Sequence, residues 1–228
     1  FVVTKLSPRF FAGADPVDSV AVFLEELGLE YIDLVLLHHP QSIGGLPFGH
    51  CANGTALECR TNAWSRLSKL QQNGVVRDLG VSNFNTRQID ELRTLNLAPV
   101  AVNQIQYNLW APDYQRDVFA QCQARGVAIT AWAPFQGTMM QHAQAFTVDT
   151  LMAMAASKGR TVPQLMLRWL LQKGAIVIPG TSNPGHMDEN LAVYEFELSE
   201  EELAVLDGLS TDASVKDFVA IGFEQNES

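Results

Sequence analysis

The sequence predicts an α/β fold of parallel strands joined by crossover helices, closed as a barrel rather than left as an open sheet. Three observations lead there. Short apolar runs alternate with stretches of helical periodicity along the 228 residues. The runs are built of Val, Ile, Leu and Ala without polar alternation, which suits a parallel sheet covered on both faces. Polar side chains gather at the C-terminal ends of the runs, the rim where a parallel barrel builds its site. A doubly wound open sheet, the rival, would concentrate its site at one switch point.

The elements follow in order. Phe1–Thr4 is the first apolar run, delivering Lys5 at its end. Asp15-Pro16 then reads as a helix N-cap and first-turn proline. Val20, Phe23, Leu24 and Leu27 recur at helical spacing, and Gly28 stops the helix. Ile32–Leu37 is the second strand, followed by a glycine-rich loop from Gln41 to about Glu58. Trp64, Leu67 and Leu70 mark the next helix, ending at Gly74. Val75–Val81 predicts a strand, Arg87–Leu95 a helix, Val100–Val102 a strand, Asp113–Arg125 a helix and Val127–Ala131 a strand.

Two helices come next, near Val148–Ser157 and Thr161–Lys173, the second with a Thr161/Gln164 capping box. Ala175–Ile178 is the sixth strand. Pro184–Ala192 and Ser199–Leu206 read as helices, the latter with a Ser199/Glu202 capping box. No linker, charge block or low-complexity stretch divides residues 1–228, so one domain is expected. Six strands are two short of an eight-stranded barrel; two further units need about 60 residues.

Composition narrows the function classes. The chain is 47% hydrophobic and 18% charged, an ordinary globular balance. A net charge of −10 gives no basic footprint, so no nucleic-acid partner is expected. No apolar run is long enough to span a bilayer and no signal-peptide pattern opens the chain, so no membrane association is expected. Of the three cysteines, Cys51 and Cys59 share a loop, where a small disulfide is conceivable. The odd, low count fits a reducing compartment better, so a cytoplasmic protein is expected, an organelle remaining open. Asn53-Gly54-Thr55 matches a glycosylation acceptor, a triplet common by chance. His50, Cys51 and Cys59 match no standard zinc spacing, and no metal is expected.

The strand ends carry a coherent chemistry. They supply Lys5, then His38 and His39, Ser82 and Asn83, Asn103 and Gln104, Trp132, and Gly180 with Thr181. Serine, asparagine and glutamine together offer the donors and acceptors that grip a planar carboxamide. A flat indole covers a ring face, and a lysine with a histidine suits acid–base work. The set is suited to holding a nicotinamide beside a carbonyl. No Gly-x-Gly-x-x-Gly follows any strand, so a Rossmann mode of binding is not expected.

These residues sit in stretches that resemble the aldo-keto reductases: "VVTKL", "LGLEYIDLVLLHHP", "LQQNGVVRDLGVSNFN", "VAVNQIQYNLW", "VAITAWAPF" and "IVIPGTSNPGHMDENL". They occur in family order over essentially the whole chain. The resemblance implies a (β/α)8 TIM-type barrel, with about six of its eight strands in this sequence. It implies NADPH, less often NADH, as cofactor and an aldehyde or ketone as substrate. It implies that Lys5 and His38 are catalytic, that Ser82, Asn83 and Gln104 hold the carboxamide, and that Trp132 stacks on the nicotinamide. Loop 179–190, with Ser182, Glu189 and Asn190, matches the segment around the adenosine end.

By the same resemblance "FVVTKL" corresponds to the third barrel strand. The first two would carry an aspartate and the proton-donating tyrosine. Of the tyrosines present, Tyr107 is the weak substitute, lying just past Gln104. If the truncation is natural, a protein partner covering the open barrel edge is expected, with an inactive sensor or assembly subunit as the alternative function. Departures from the family pattern also matter. Gly180, Thr181 and His186 stand where cations often grip the 2′-phosphate, so NADP is expected first and NAD close behind. His39 replaces a tryptophan that often lines the substrate pocket, and is either a substrate contact or a solvated loop residue. Phe135 and Gln136 replace a common Leu-Gly, and Phe218 and Phe223 are candidates to cover the opening.

Overall fold

The computed structural model describes residues 1–7, 15–40, 55–135 and 145–210. Residues 41–54 of the glycine-rich loop, among them His50, Cys51 and Asn53, with Gln136 and the tail carrying Phe218 and Phe223, lie outside the described residues, and a helix starts at Ala56, inside the span expected to be loop. Six strands are present among those described: β1 Val3–Leu6, β2 Ile32–Leu37, β3 Val76–Ser82, β4 Val100–Gln106, β5 Ala128–Trp132 and β6 Ala175–Val177. Eight α-helices accompany them: α1 Pro16–Leu27, α2 Ala56–Gln72, α3 Thr86–Arg93, α4 Asp113–Ala124, α5 Ala145–Lys158, α6 Val162–Gln172, α7 Pro184–Leu191 and α8 Glu200–Asp207. The chain divides into two compact units, Phe1–Gln104 with Gln121–Ala128, and Ile105–Ala120 with Ile129–Ser228.

Helix boundaries follow local chemistry. Asp15 caps α1 by accepting from the Val17 N–H at 2.9 Å, and Gly28 closes it in the left-handed region at φ 64°. Capping boxes start α6 at Thr161/Gln164 and α8 at Ser199/Glu202, as the sequence predicts. Two more start α2 at Thr55/Glu58 and α3 at Asn85/Gln88. Asn85 therefore caps α3, and Ser82 and Asn83 are left for other contacts.

In the first unit β1, β2, β3 and β4 pair in parallel and in chain order. The start of β2 is anchored by Asp33, which accepts from the Val2 N–H at 2.8 Å and from Arg77 at 2.9 Å. The register puts Lys5 opposite Leu36, Leu36 opposite Gly80, and Gly80 opposite Val102. These four form one row across four strands. Residues two positions onward share its face, because strand side chains alternate. His38, Ser82 and Gln104 thus form the next row, with Ser82 directly opposite Gln104.

β4 is longer than Val100–Val102, the span its apolar residues suggest. It continues to Gln106, with the Val81–Asn103 and Ser82–Gln104 pairs extending the ladder. Hydrogen bonding to β3 carries the strand through its polar residues. The register with β3 shifts between Leu79 and Gly80: Leu79 faces Val100, whereas Gly80 faces Val102. Without that shift Ser82 would face Asn103, whose side chain takes the opposite face.

Gly80 is required where the strands approach. A Cβ there would stand 2.6 Å from Leu36 Cδ2 and 2.7 Å from the Val102 carbonyl oxygen. The carbonyl belongs to a paired strand and cannot swing away. Beneath the site row, Leu34, Leu36 and Val102 pack together with Ala101 beside them. In the second unit β5 and β6 pair in parallel, Ile129 opposite Ala175 and Ala131 opposite Val177. Trp169 is fully buried on α6, its indole N–H donating to Asp207 at 2.8 Å.

Replacing Gly80 by alanine is expected to destabilise the fold by about 1–3 kcal/mol, the usual cost of forcing atoms into a packed interior. Urea unfolding monitored by tryptophan fluorescence reads this as a lower midpoint with an unchanged slope.

Candidate active site

The first unit brings six of the expected residues together at the C-terminal ends of its strands: Lys5, His38, His39, Ser82, Asn83 and Gln104. Lys5 lies within β1, half-buried, with no ion-pair partner among the described residues. His38 follows β2 directly, its N–H donating to the Leu6 carbonyl at 2.9 Å. His39 stacks on it with ring centroids 4.4 Å apart at 22°. Ser82 ends β3, and its hydroxyl donates to the Gln104 carbonyl at 2.8 Å.

Asn83 turns the chain out of β3. It takes the left-handed conformation, φ 62°, which asparagine tolerates better than most residues. Its own N–H donates to the Gln104 carbonyl at 3.0 Å, carrying the ladder one step further. Its side-chain NH₂ lies 3.1 Å from the His38 carbonyl, 3.1 Å from Ser82 Oγ and 3.3 Å from His39 Nδ1. This one amide ties the end of β3 to the loop after β2.

Arg60 holds the same loop from α2. Arg60 is 4% exposed, and its guanidinium donates from Nε to Glu91 at 2.9 Å and from Nη1 to the Pro40 carbonyl at 3.4 Å. The sequence reading did not single it out. The available signal was its place four residues before Trp64, on the stripe of α2 that also buries Ala63 and Leu67. A charged residue on a buried stripe needs a partner, and Glu91 on α3 supplies it.

Gln104 is 5% exposed, and its side chain makes no hydrogen bond among the described residues. Asn103, on the other face of β4, donates to the Phe84 carbonyl at 2.9 Å, while its Oδ1 has no partner among the described residues. Gln104 thus stays available to the site face while Asn103 is spent on structure.

Electrostatics sets the protonation states. Burial lowers the Lys5 ammonium from its ordinary value. Burial first, and Lys5 second, lowers His38. Burial, then His38, then Lys5 push His39 down to about 4. Both rings are therefore neutral near pH 7. His39 is 5% exposed, so it is a built-in residue rather than a solvated loop histidine.

The remaining candidates lie in the second unit. Trp132 ends β5, half-exposed, with its carbonyl accepting from the Tyr107 N–H at 3.3 Å. Tyr107 is 5% exposed and packs on Phe119 and Trp169, with centroids 4.5 and 5.9 Å away. Burial raises its phenol above the ordinary value, the reverse of what a ready proton donor needs.

Around α7, Gly180 and Ser182 are exposed, and Thr181 Oγ1 accepts from the Asn183 N–H at 3.1 Å and stands 3.5 Å from His186 Nδ1. Asn183 caps α7 through the Gly185 N–H at 2.9 Å. Glu189 accepts from the Thr161 hydroxyl at 3.3 Å, and Asn190 is half-buried beside it. The exposed N-terminus of α7, with its hydroxyls, is suited to a phosphate. Residues 178–190 contain no lysine or arginine. Cys59 is disulfide-bonded and Cys122 is free and buried, a departure from the free thiols that the low cysteine count favours.

His39 makes stability pH-dependent in a defined window. Its folded pKa of about 4 lies below the ordinary 6.5. Above 6.5 both states are neutral and the group contributes nothing. As pH falls from 6.5 to 4 the unfolded chain takes up a proton that the folded one refuses, so stability declines, by on the order of 3 kcal/mol in full. His38 acts in the same direction. Urea unfolding at pH 7 and pH 5 is expected to show the loss, and His39→Asn to reduce it.

Comparison with known proteins places this geometry. The model of the aldo/keto reductase family matches residues 1–211. Aldo-keto reductase family 1 member A1 of Mus musculus is 33% identical over 220 residues, covering 92% of this chain and 67% of the mouse protein. The solved aldo-keto reductase of Bombyx mori in complex with NADP superposes with a TM-score of 0.79 at 32% identity, covering 92% of this chain and 67% of that one. An aldo-keto reductase solved with NADPH gives a TM-score of 0.78 at 30% identity, with 92% of this chain and 64% of that one covered. The α/β barrel class is therefore the right one, and the chain belongs to the aldo/keto reductase family.

Proposed function

We propose that the protein reduces an aldehyde or ketone to an alcohol by hydride transfer from NAD(P)H. The observation that carries this reading is the second row of the first unit. There His38, Ser82 and Gln104 stand at adjacent strand ends, one step beyond Lys5. The family match and the nicotinamide cofactors of the solved relatives support it.

The residues fit a carboxamide. Gln104 offers both a donor and an acceptor that nothing among the described residues uses. Ser82 and Asn83 flank it, already oriented by their own bonds to the Gln104 main chain. The dihydronicotinamide, when bound, supplies the hydride. This chain's residues do the rest. Neutral His38 offers one ring N–H to the substrate oxygen and polarises it. Lys5 places a positive charge close to where negative charge develops, and lowers the pKa of a phenol brought beside it. Within the second unit, the family resemblance assigns Trp132 to a ring face, Gly180, Thr181, Ser182 and His186 with the α7 N-terminus to a phosphate, and Glu189 and Asn190 to the adenine. NADP is the first expectation. The lack of a permanent cation in 178–190 keeps NAD close behind. No observation among the described residues favours a non-catalytic subunit.

The intact protein is expected to oxidise NADPH with at least one simple aldehyde, followed by nicotinamide absorbance. Lys5→Met is expected to lower kcat by about 10²–10⁴-fold, the range for lost acid–base assistance, with little change in cofactor affinity. No oxidation by wild-type protein across an aldehyde and ketone panel, with either cofactor, would sink the reading.

A further inference from the structure

We propose that His39 is a positioning residue: its Nδ1 accepts a hydrogen bond from the Asn83 side chain while its ring backs His38, so that it fixes both groups at the strand ends. The proposal rests on the reading that Asn83 and His38 face cofactor and substrate.

The geometry gives His39 two jobs. The Asn83 NH₂ carries only donors, so the ring nitrogen 3.3 Å away must be unprotonated and the proton must sit on Nε2. The orientation of the amide follows from the His38 carbonyl at 3.1 Å, which an oxygen in place of Nδ2 would repel. Three acceptors thus surround two protons: the His38 carbonyl, Ser82 Oγ and His39 Nδ1. His39 contributes a side chain that is nine-tenths buried and stacked at 4.4 Å on its neighbour, hence unable to turn away. Behind it, Arg60 grips the Pro40 carbonyl and stiffens the loop. Lys5 and His38 are the charged and titratable neighbours that act on the ring, and both favour its neutral, accepting form. A tryptophan at this position would bring an N–H donor and no acceptor, so this chain has substituted a group with the opposite hydrogen-bonding sense.

The test is a double-mutant cycle on the intact protein with His39→Phe and Asn83→Ala. Phenylalanine keeps a ring for stacking and deletes the acceptor. Each variant is expected to weaken NADP⁺ binding, read by tryptophan fluorescence, by about tenfold, the loss of roughly one hydrogen bond's worth of orientation. The double variant is expected to stay near tenfold. His39→Asn, whose side-chain oxygen reaches as far as Nδ1, is expected to recover part of the loss.

Wild-type affinity in His39→Phe, or a double variant weakened by the product of the two single losses, overturns the proposal. The same four proteins are unfolded in urea without cofactor. Non-additive midpoints there show the His39–Asn83 coupling even if wild-type protein binds neither NADP⁺ nor NAD⁺, a result that would count against the cofactor reading alone. Additive midpoints in that case overturn the coupling itself.

Discussion

The close approach of three strands at Gly80 is the constraint on which the rest of the first unit depends. With no side chain at that position, Leu36 fills the space and the Val102 carbonyl stays in its ladder. The register between β3 and β4 shifts at the same point, so Ser82 meets Gln104 and not Asn103. One residue of offset would send the Gln104 amide to the helix-facing side and leave an asparagine in its place. The composition of that row is thus decided one row below it, by a glycine with no side chain.

Above that row a small number of hydrogen bonds convert strand ends into a fixed surface. The Gln104 carbonyl accepts from both the Ser82 hydroxyl and the Asn83 N–H. The Asn83 side chain then reaches back to the loop after β2, and Arg60 holds that loop from the helix behind. The Ser82 hydroxyl and the Asn83 amide are thus held by main chain and neighbouring side chains, while the Gln104 side chain makes no hydrogen bond among the described residues. Such ordering before a ligand arrives is what makes binding inexpensive in entropy.

The sequence disclosed the elements better than their ends. Asp15-Pro16, Gly28 and the boxes at Thr161 and Ser199 are local signals, and each sits where its own chemistry requires. The place of Lys5, His38 and Gln104 at strand ends was legible because polar residues that end apolar runs stand out. What the sequence hid was relational. β4 runs past Val102 because its partner strand does, which no property of Asn103 or Gln104 announces. The register shift depends on how Leu36 and Val102 pack around Gly80, three strands at once. His39 offered two readings from its type alone, and neither included a buried ring bonded to an asparagine 44 residues away. Cys59 shows the same limit, because a cysteine count cannot say which thiols meet.

The charge of the site follows from competition among its basic groups. Lys5, His38 and His39 crowd together, and no ion pair neutralises Lys5 among the described residues. Three positive charges in so small a volume would repel strongly at low effective dielectric. The group with the highest intrinsic pKa keeps its proton, and the lysine begins about four units above the histidines. Burial first, with that charge added, holds both rings neutral. The surface therefore presents one fixed cation and two uncharged imidazoles. A neutral imidazole can donate at one nitrogen and accept at the other, whereas a cation can only donate. Lys5 thereby adds to burial in keeping the histidines beside it neutral, able to donate at one nitrogen and accept at the other.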